Sequence, residues 1–301
     1  MNYMSIKEAS ALWGVSQQMI RRYCREGRIT GAIQKDGGWA VPINANKPGQ
    51  PAVIAPPKEL KDFAKHVVYQ HEKNYHFGIY EYIQVNLAYS SNRMASNRLT
   101  RVQVMEAYRT NRVSVAFEPM KIDDVIETVN HFLCMRYVID NLVTPLNAAF
   151  IKKLHYILFY GTYSDRKDKN RVGAFRTDPG KMGIPAGNIV KELNELLIRY
   201  EKQKKVDFDK ILEFHAHFEH IHPFDDGNGR LGRVIMMKEC LRYGVDPFII
   251  DDKRRNQYYK GIACWDTDPD VLRTVCREAQ TRFQGQMELC RLMQYCRMPN
   301  Y

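Results

Sequence analysis

The chain has 301 residues, 45% of them hydrophobic and 26% charged, with a formal net charge of +11. That length holds more than one domain and a sizeable core, and the positive balance favours polyanions such as nucleic acid or nucleotide phosphates. It excludes a helical membrane protein, because no stretch reaches the ~18 uninterrupted apolar residues that a span needs. The start, MNYMSIKEAS, lacks the pattern of a signal peptide. Seven scattered cysteines include no CxxC pair, so a reduced protein of the cytoplasm is expected rather than a zinc ribbon or a redox protein.

Residues 1–45 predict a small helical unit followed by a hairpin. Ser5 and Glu8 fit a capping box, Ala9 and Leu12 supply an apolar face, and Gly14 stops the helix. Ser16 caps a second helix running to about Glu26, which Gly27 ends. Its Gln17, Gln18, Arg21, Arg22 and Arg25 are side chains that pair with base edges or bind phosphate. Lys35-Asp36-Gly37-Gly38 between β-prone runs reads as a hairpin turn, or wing. Through Ser5-Ile-Lys-Glu-Ala9, Gly14-Val-Ser16, Ile20-Arg-Arg-Tyr23, Glu26-Gly-Arg-Ile29 and Gly38-Trp-Ala-Val-Pro42, this stretch resembles the excisionase-like winged helix-turn-helix family. The resemblance implies DNA binding, with Gln17, Arg21, Arg22 and Arg25 as the contacting residues; a unit kept for protein contacts or dimerisation is the alternative. Residues 46–58, with Pro48, Pro51, Pro56, Pro57 and Gly49, read as a stiff linker.

From residue 59 onward the pattern is mostly helical and without repeats: N-terminal helices over 59–125, then 126–301. The informative stretch is His222-Pro-Phe-Asp-Asp-Gly-Asn-Gly-Arg-Leu-Gly-Arg233. Upstream, Phe208, Leu212, Phe214, Phe218 and Ile221 recur at helical spacing, and Pro223 ends that helix near His222. Asp225-Asp226-Gly227-Asn228-Gly229 is turn chemistry. From Asn228, the residues Leu231, Val234, Ile235, Met237 and Leu241 mark a second helix, closed by Gly244. A glycine-rich loop that opens a helix directs backbone N–H groups and the positive end of the dipole at a phosphate. Arg230 and Arg233 lie three apart on one helix face and suit phosphate oxygens. Asp226 suits Mg²⁺, which takes one or two carboxylates plus substrate phosphates. His222 stands where an imidazole takes a proton from a hydroxyl.

This stretch resembles the signature of the Fic family, His-x-Phe-x-Asp/Glu-Gly-Asn-Gly-Arg-x-x-Arg, with every specified place filled. The resemblance extends over most of residues 80–285, through Tyr89-Ser-Ser-Asn92, Asn97-Arg-Leu-Thr100, Leu154-His155, Gly173-Ala-Phe-Arg176 and Phe248-Ile-Ile-Asp251. It implies a mainly α-helical bundle with a β-hairpin flap over about 173–186, and AMP transfer from ATP to a Tyr, Ser or Thr hydroxyl of a target protein or of the chain itself. It also implies roles: His222 as general base, Phe224 as loop anchor, Asp226 as Mg²⁺ ligand. Gly227, Asn228 and Gly229 hold the α- and β-phosphates, Arg230 and Arg233 the outer phosphates, and Tyr258 and Tyr259 the adenine. Read as residues alone, the two tyrosines fit a core equally well, Asp225 is a solvated loop residue, and the histidines at 215, 217, 220 and 222 lack the spacing and partners of a zinc site.

One place departs from the family. Many of its members carry an inhibitory helix, Ser/Thr-x-x-x-Glu-Gly/Asn, whose glutamate pairs with the second motif arginine. The matching run here is Ser90-Ser91-Asn92-Arg93-Met94-Ala95-Ser96-Asn97, with Ala95 where glutamate is expected and Ser96 where glycine is. Arg233 is therefore expected to be free for the γ-phosphate, whether Ala95 is natural or engineered. Ser114-Val-Ala-Phe-Glu118-Pro119 has the same spacing but a poorly placed proline. Transfer of UMP or phosphocholine on the same fold is an alternative reaction. A DNA-binding regulator with a nucleotide-sensing domain is an alternative function. A homo-oligomer is compatible with the sequence and not decided by it.

Overall fold

The computed structural model describes residues 3–29, 31–35, 37–43, 45, 48, 60–114, 119–168, 171–177 and 182–297. Asp36 of the predicted wing, most of the linker, Glu118 and positions 178–181 of the predicted flap lie outside them. Packing divides the chain into two units, Met1–Ile54 and Ala55–Tyr301.

In the first unit, β1 (Tyr3–Ser5) leads into α1 (Ile6–Trp13), and α2 (Gln17–Arg25) is followed by β2 (Ile33–Lys35) and β3 (Gly38–Pro42). The capping box forms as the sequence suggests: Glu8 N donates to Ser5 Oγ at 3.2 Å and Ser5 N to Glu8 Oε2 at 2.7 Å. Gly14 follows α1 in the left-handed region at φ 61°, and Ser16 Oγ caps α2 by accepting from Met19 N at 3.2 Å. The strands form an antiparallel sheet in the order β1-β3-β2, with Met4 opposite Val41 and Gln34 opposite Trp39. Strand β1 has too few residues to show alternation in the sequence. Met4, Ile6, Ala9, Ile20, Cys24, Ile29 and Val41 make this unit's own core.

The second unit is helical. Its elements are α3 (Asp62–Glu72), α4 (Ile79–Met94), α5 (Arg101–Thr110), α6 (Ile122–Asp140), α7 (Ala148–Phe159), α8 (Tyr163–Lys167), α9 (Ile189–Glu201), α10 (Phe208–Ile221), α11 (Asn228–Tyr243), α12 (Arg255–Ala263) and α13 (Asp270–Arg297). Its main hydrophobic cluster runs from Ala64 to Cys290, and a smaller one gathers Val85, Ala88, Leu99, Val104, Ala107 and Phe132. Helices α10 and α11 lie at its centre, and α11 is buried nearly all round. Their close approach depends on Gly232, where a Cβ would stand 2.5 Å from His215 Cε1 and 2.8 Å from Glu219 Oε1.

A helix surrounded by protein must satisfy every charge it carries. The far half of α11 does so with a network. Arg242 forks onto Glu201 of α9, Nη1 to Oε1 at 2.7 Å and Nη2 to Oε2 at 2.9 Å. Lys238 Nζ donates to Glu239 Oε1 at 2.8 Å and to Thr144 O at 2.7 Å, and Leu146 N donates to Glu201 Oε1 at 2.6 Å.

Of the expected flap, residues 173–177 and 182–185 are turns, bends and coil, Ala186 opens a short 3-10 helix, and positions 178–181 lie outside the described residues. A strand needs a hydrogen-bonded neighbour, and here Arg176 turns its groups to other acceptors. Its backbone N–H donates to Pro223 O at 3.0 Å, its Nε to His222 O at 2.7 Å, and its Nη2 to Ile184 O.

Candidate active site

Helix α10 ends at Ile221, one residue before His222, as Pro223 requires. His222 itself takes the left-handed conformation, φ 51° and ψ 62°, which costs a non-glycine residue about 1–2 kcal/mol. The turn aims the imidazole into a cavity of about 730 Å³ bordered by the motif loop, Ala95 and one face of α12, within the usual range for small-ligand sites. Burial pushes the His222 pKa below its ordinary value, opposed by a hydrogen bond to the Glu219 backbone, with Arg176 adding to the lowering and Asp226 opposing it. The ring is therefore neutral at pH 7, as a proton acceptor must be.

Two devices shape the loop after His222. Phe224 is fully buried and stacks on His155 at 4.0 Å. Asn228 closes the turn from both sides: Phe224 N donates to its Oδ1 at 3.0 Å, and its Nδ2 donates to Phe224 O at 2.8 Å. The Asn228 side chain is thereby committed to the loop, leaving its backbone N–H for a ligand. Gly227 precedes the helix at φ 80°, with Phe159 Cε2 2.4 Å from where a Cβ would be, so no other residue fits. The first N–H groups of α11 have no intrahelical partner and open on the cavity that Gly227, Asn228 and Gly229 line. Asp226 is 72% exposed and its Oδ1 accepts from Gly227 N at 2.6 Å. Asp225 pairs with Arg171 at 3.5 Å.

The two motif arginines differ. Arg230 is held by carboxylates: its Nη1 lies 2.8 Å from Glu127 Oε2 of α6 and its Nη2 3.1 Å from Asp226 Oδ2. Arg233 is held by a serine. Its Nε donates to Ser91 Oγ at 2.9 Å and its Nη2 to Ser91 O at 3.1 Å, while Nη1 is buried without a hydrogen-bond partner. Ala95 caps α4 and lines the same cavity, bringing no carboxylate to this guanidinium. Ser96, at the expected glycine position, is in the left-handed region at φ 70°.

Of the two tyrosines, only Tyr259 reaches the cavity wall. Tyr258 is a core residue, fully buried, and its hydroxyl shares a 2.5 Å hydrogen bond with His215 Nε2. The sequence reading missed several wall residues, including His217, Glu219, Ile262, Trp265 and Asp266. It also missed Glu127, which carries no motif. Glu219 sits three places before His222 with no motif to mark it. Burial pushes its carboxyl up to about 7, with Arg233 opposing, and its Oε1 has no hydrogen-bond partner.

In the first unit, Gln17, Arg21 and Arg25 are exposed on α2 at successive four-residue steps. Arg22 is exposed too, with Nε 2.7 Å from Glu26 Oε1.

Residues 145–240 match the model of the Fic/DOC family. Over 182 residues the chain is 29% identical to Protein adenylyltransferase Fic of Drosophila yakuba and to that of Drosophila melanogaster, covering 57% of this chain and 35% of each relative. The chain thus spans about a third of the length of these curated relatives. Among solved structures, Fic-1 from C. elegans superposes with a TM-score of 0.61 at 17% identity, over 77% of this chain and 73% of that one. A Fic domain containing signaling protein from Bacteroides thetaiotaomicron gives 0.55 at 17% identity, over 75% and 92%. At such identity the likeness is one of fold. Among the described residues, no helix is long and apolar enough to cross a membrane.

Proposed function

From the match of residues 145–240 to the Fic/DOC family, we propose that the chain transfers AMP from ATP to a hydroxyl of a target protein or of itself. The observation that carries this reading is the cavity bordered at once by His222, Asp226, the N-terminus of α11 and Arg233, whose Nη1 is unpartnered. The attacking hydroxyl oxygen bonds to the α-phosphorus, and the bond from that phosphorus to the bridging oxygen breaks. The proton passes to the neutral imidazole of His222, and pyrophosphate leaves. Such a transfer depends on positioning and charge stabilisation more than on covalent chemistry.

The chain's groups divide that work. The free N–H groups of α11 bind the α- and β-phosphates, Arg233 Nη1 takes the outermost phosphate, and Tyr259 flanks the base. Arg230, tied to Glu127, orients the Asp226 carboxylate. Asp226 fits Mg²⁺, being a hard, exposed oxygen donor beside the phosphate cradle. When bound, Mg²⁺ neutralises phosphate charge. With Ala95 in place of an inhibitory carboxylate, the site is open to ATP. Buried free thiols such as Cys134 and Cys240 suit the reducing cytoplasm.

Intact-mass spectrometry after incubation with ATP and Mg²⁺ tests the reaction. An AMP-sized adduct on the chain or a supplied target is expected, with loss of at least ~10²-fold in rate for His222→Ala. Equal modification by both chains removes His222 as the base.

A second role, DNA binding by the first unit, is favoured by the exposed row Gln17, Arg21 and Arg25 on α2. Arg21→Ala with Arg25→Ala is expected to weaken binding to duplex DNA and to reduce its salt dependence in fluorescence anisotropy. An absence of binding at low salt removes the role.

A further inference from the structure

Nothing in the reaction as written uses His155, yet it touches three parts of the site from one place. It stands on α7, buried, with only 5% of its surface exposed. Gly173 N donates to its Nδ1 at 2.8 Å. A nitrogen that accepts carries no proton, so the neutral ring bears its hydrogen on Nε2. That Nε2–H faces Asp226 O at 3.2 Å. The face of the ring stacks on Phe224 at 4.0 Å with 8° between planes, and Phe159 lies against it at 4.8 Å.

We propose that His155 is a positioning residue that couples the Asp226 loop to the start of the segment beginning at Gly173, holding both in register through one neutral imidazole. The inference rests on the reading of Asp226 as the residue that meets Mg²⁺ beside the triphosphate. The carboxylate of Asp226 is largely exposed, and its local contacts, Gly227 N and Arg230, orient the side chain but do not fix the main chain that carries it. His155 fixes that main chain from a rigid helix. By the same ring it fixes Gly173 N, the entry to the segment that Arg176 ties to His222 O. Groups of this kind behind a metal ligand commonly change metal affinity by about 10–100-fold when removed.

Two variants of the full chain separate hydrogen bonding from packing. His155→Gln keeps one donor and one acceptor and loses the stack. His155→Phe keeps the ring and loses both hydrogen bonds. Each is first checked for folding by thermal melting, and binding of a non-hydrolysable ATP analogue is then titrated with Mg²⁺ by calorimetry. The Phe variant is expected to raise the Mg²⁺ half-saturation about tenfold and to leave metal-free nucleotide binding unchanged. The Gln variant is expected to stay within about twofold of the parent. In transfer assays, the KM for a protein target should rise in the Phe variant and be rescued by Gln.

A folded Phe variant with the parent's Mg²⁺ dependence overturns the proposal. So does a Gln variant as impaired as Phe, since the ring would then act by packing alone. A parent that binds nucleotide with no Mg²⁺ dependence overturns the reading of Asp226, and the proposal with it, and is distinguished by needing no variant.

Discussion

The two halves of α11 carry similar charges to opposite ends. Toward its C-terminus, Arg242 and Lys238 are fully enclosed and matched by Glu201, Glu239 and the carbonyl of Thr144. Toward its N-terminus, Arg233 is equally buried, but its hydrogen bonds to Ser91 reach a hydroxyl and a carbonyl, no salt bridge pairs it with a carboxylate among the described residues, and its Nη1 has no hydrogen-bond partner. The matched half holds three segments together. The unmatched half leaves a buried guanidinium without a paired carboxylate, a deficit that an anion relieves. A buried polar group without a partner is costly, and here that cost lies where a phosphate is proposed to bind.

The comparison breaks if both halves respond alike to substitution. Arg242→Ala leaves the Glu201 carboxylate buried and uncompensated, and a destabilisation of about 3–5 kcal/mol is expected in denaturant titration. A loss under ~1 kcal/mol would mean that the network is not what holds the far half.

Glu219 sharpens the contrast, since it is the buried acid near the unmatched arginine. Its folded pKa of about 7 lies above the ordinary 4.5, so the folded state binds more protons between these values. Stability from this group is therefore complete below pH 4.5 and is lost as pH rises through 7. At 1.36 kcal/mol per pKa unit the loss is up to ~3 kcal/mol. Denaturation midpoints measured from pH 5 to 8 should fall for the parent, and Glu219→Gln should flatten that part of the slope. An unchanged slope would place the carboxyl in solvent.

The smallest expected effect comes from closing the open half. Ala95→Glu brings a carboxylate to the wall where Arg233 Nη1 is unpartnered. ATP affinity and turnover should fall by about tenfold or more, the worth of one charge-assisted hydrogen bond at ~1.5–3 kcal/mol, while the melting temperature rises. Unchanged affinity would mean that residue 95 does not reach Arg233.

The parts of the site legible in the sequence are those that local backbone rules control. Pro223 places the end of α10, and with it His222. Gly227 permits the turn at φ 80°, Asn228 begins α11, and Ser5 with Glu8 starts α1 by a capping box. Each depends on neighbours within a few residues, whose geometry is set by sterics and by short-range hydrogen bonds. The flap was less legible for the same reason: a strand is defined by its partner, and at its start the groups of Arg176 turn to residues near 222.

What only the tertiary structure decided is which side chains meet across the core. Ser91 reaches Arg233 over a separation of 142 residues. Glu127 takes Arg230, Tyr258 turns inward to His215 while its neighbour Tyr259 faces the cavity, and His155 joins Gly173 to Asp226. The sequence alone determined that a glycine-rich turn ends one helix and opens another. Whether each arginine beside that turn is matched or left open depended on the packing of α4, α6 and α11, because a buried charge is governed by the groups that surround it in space.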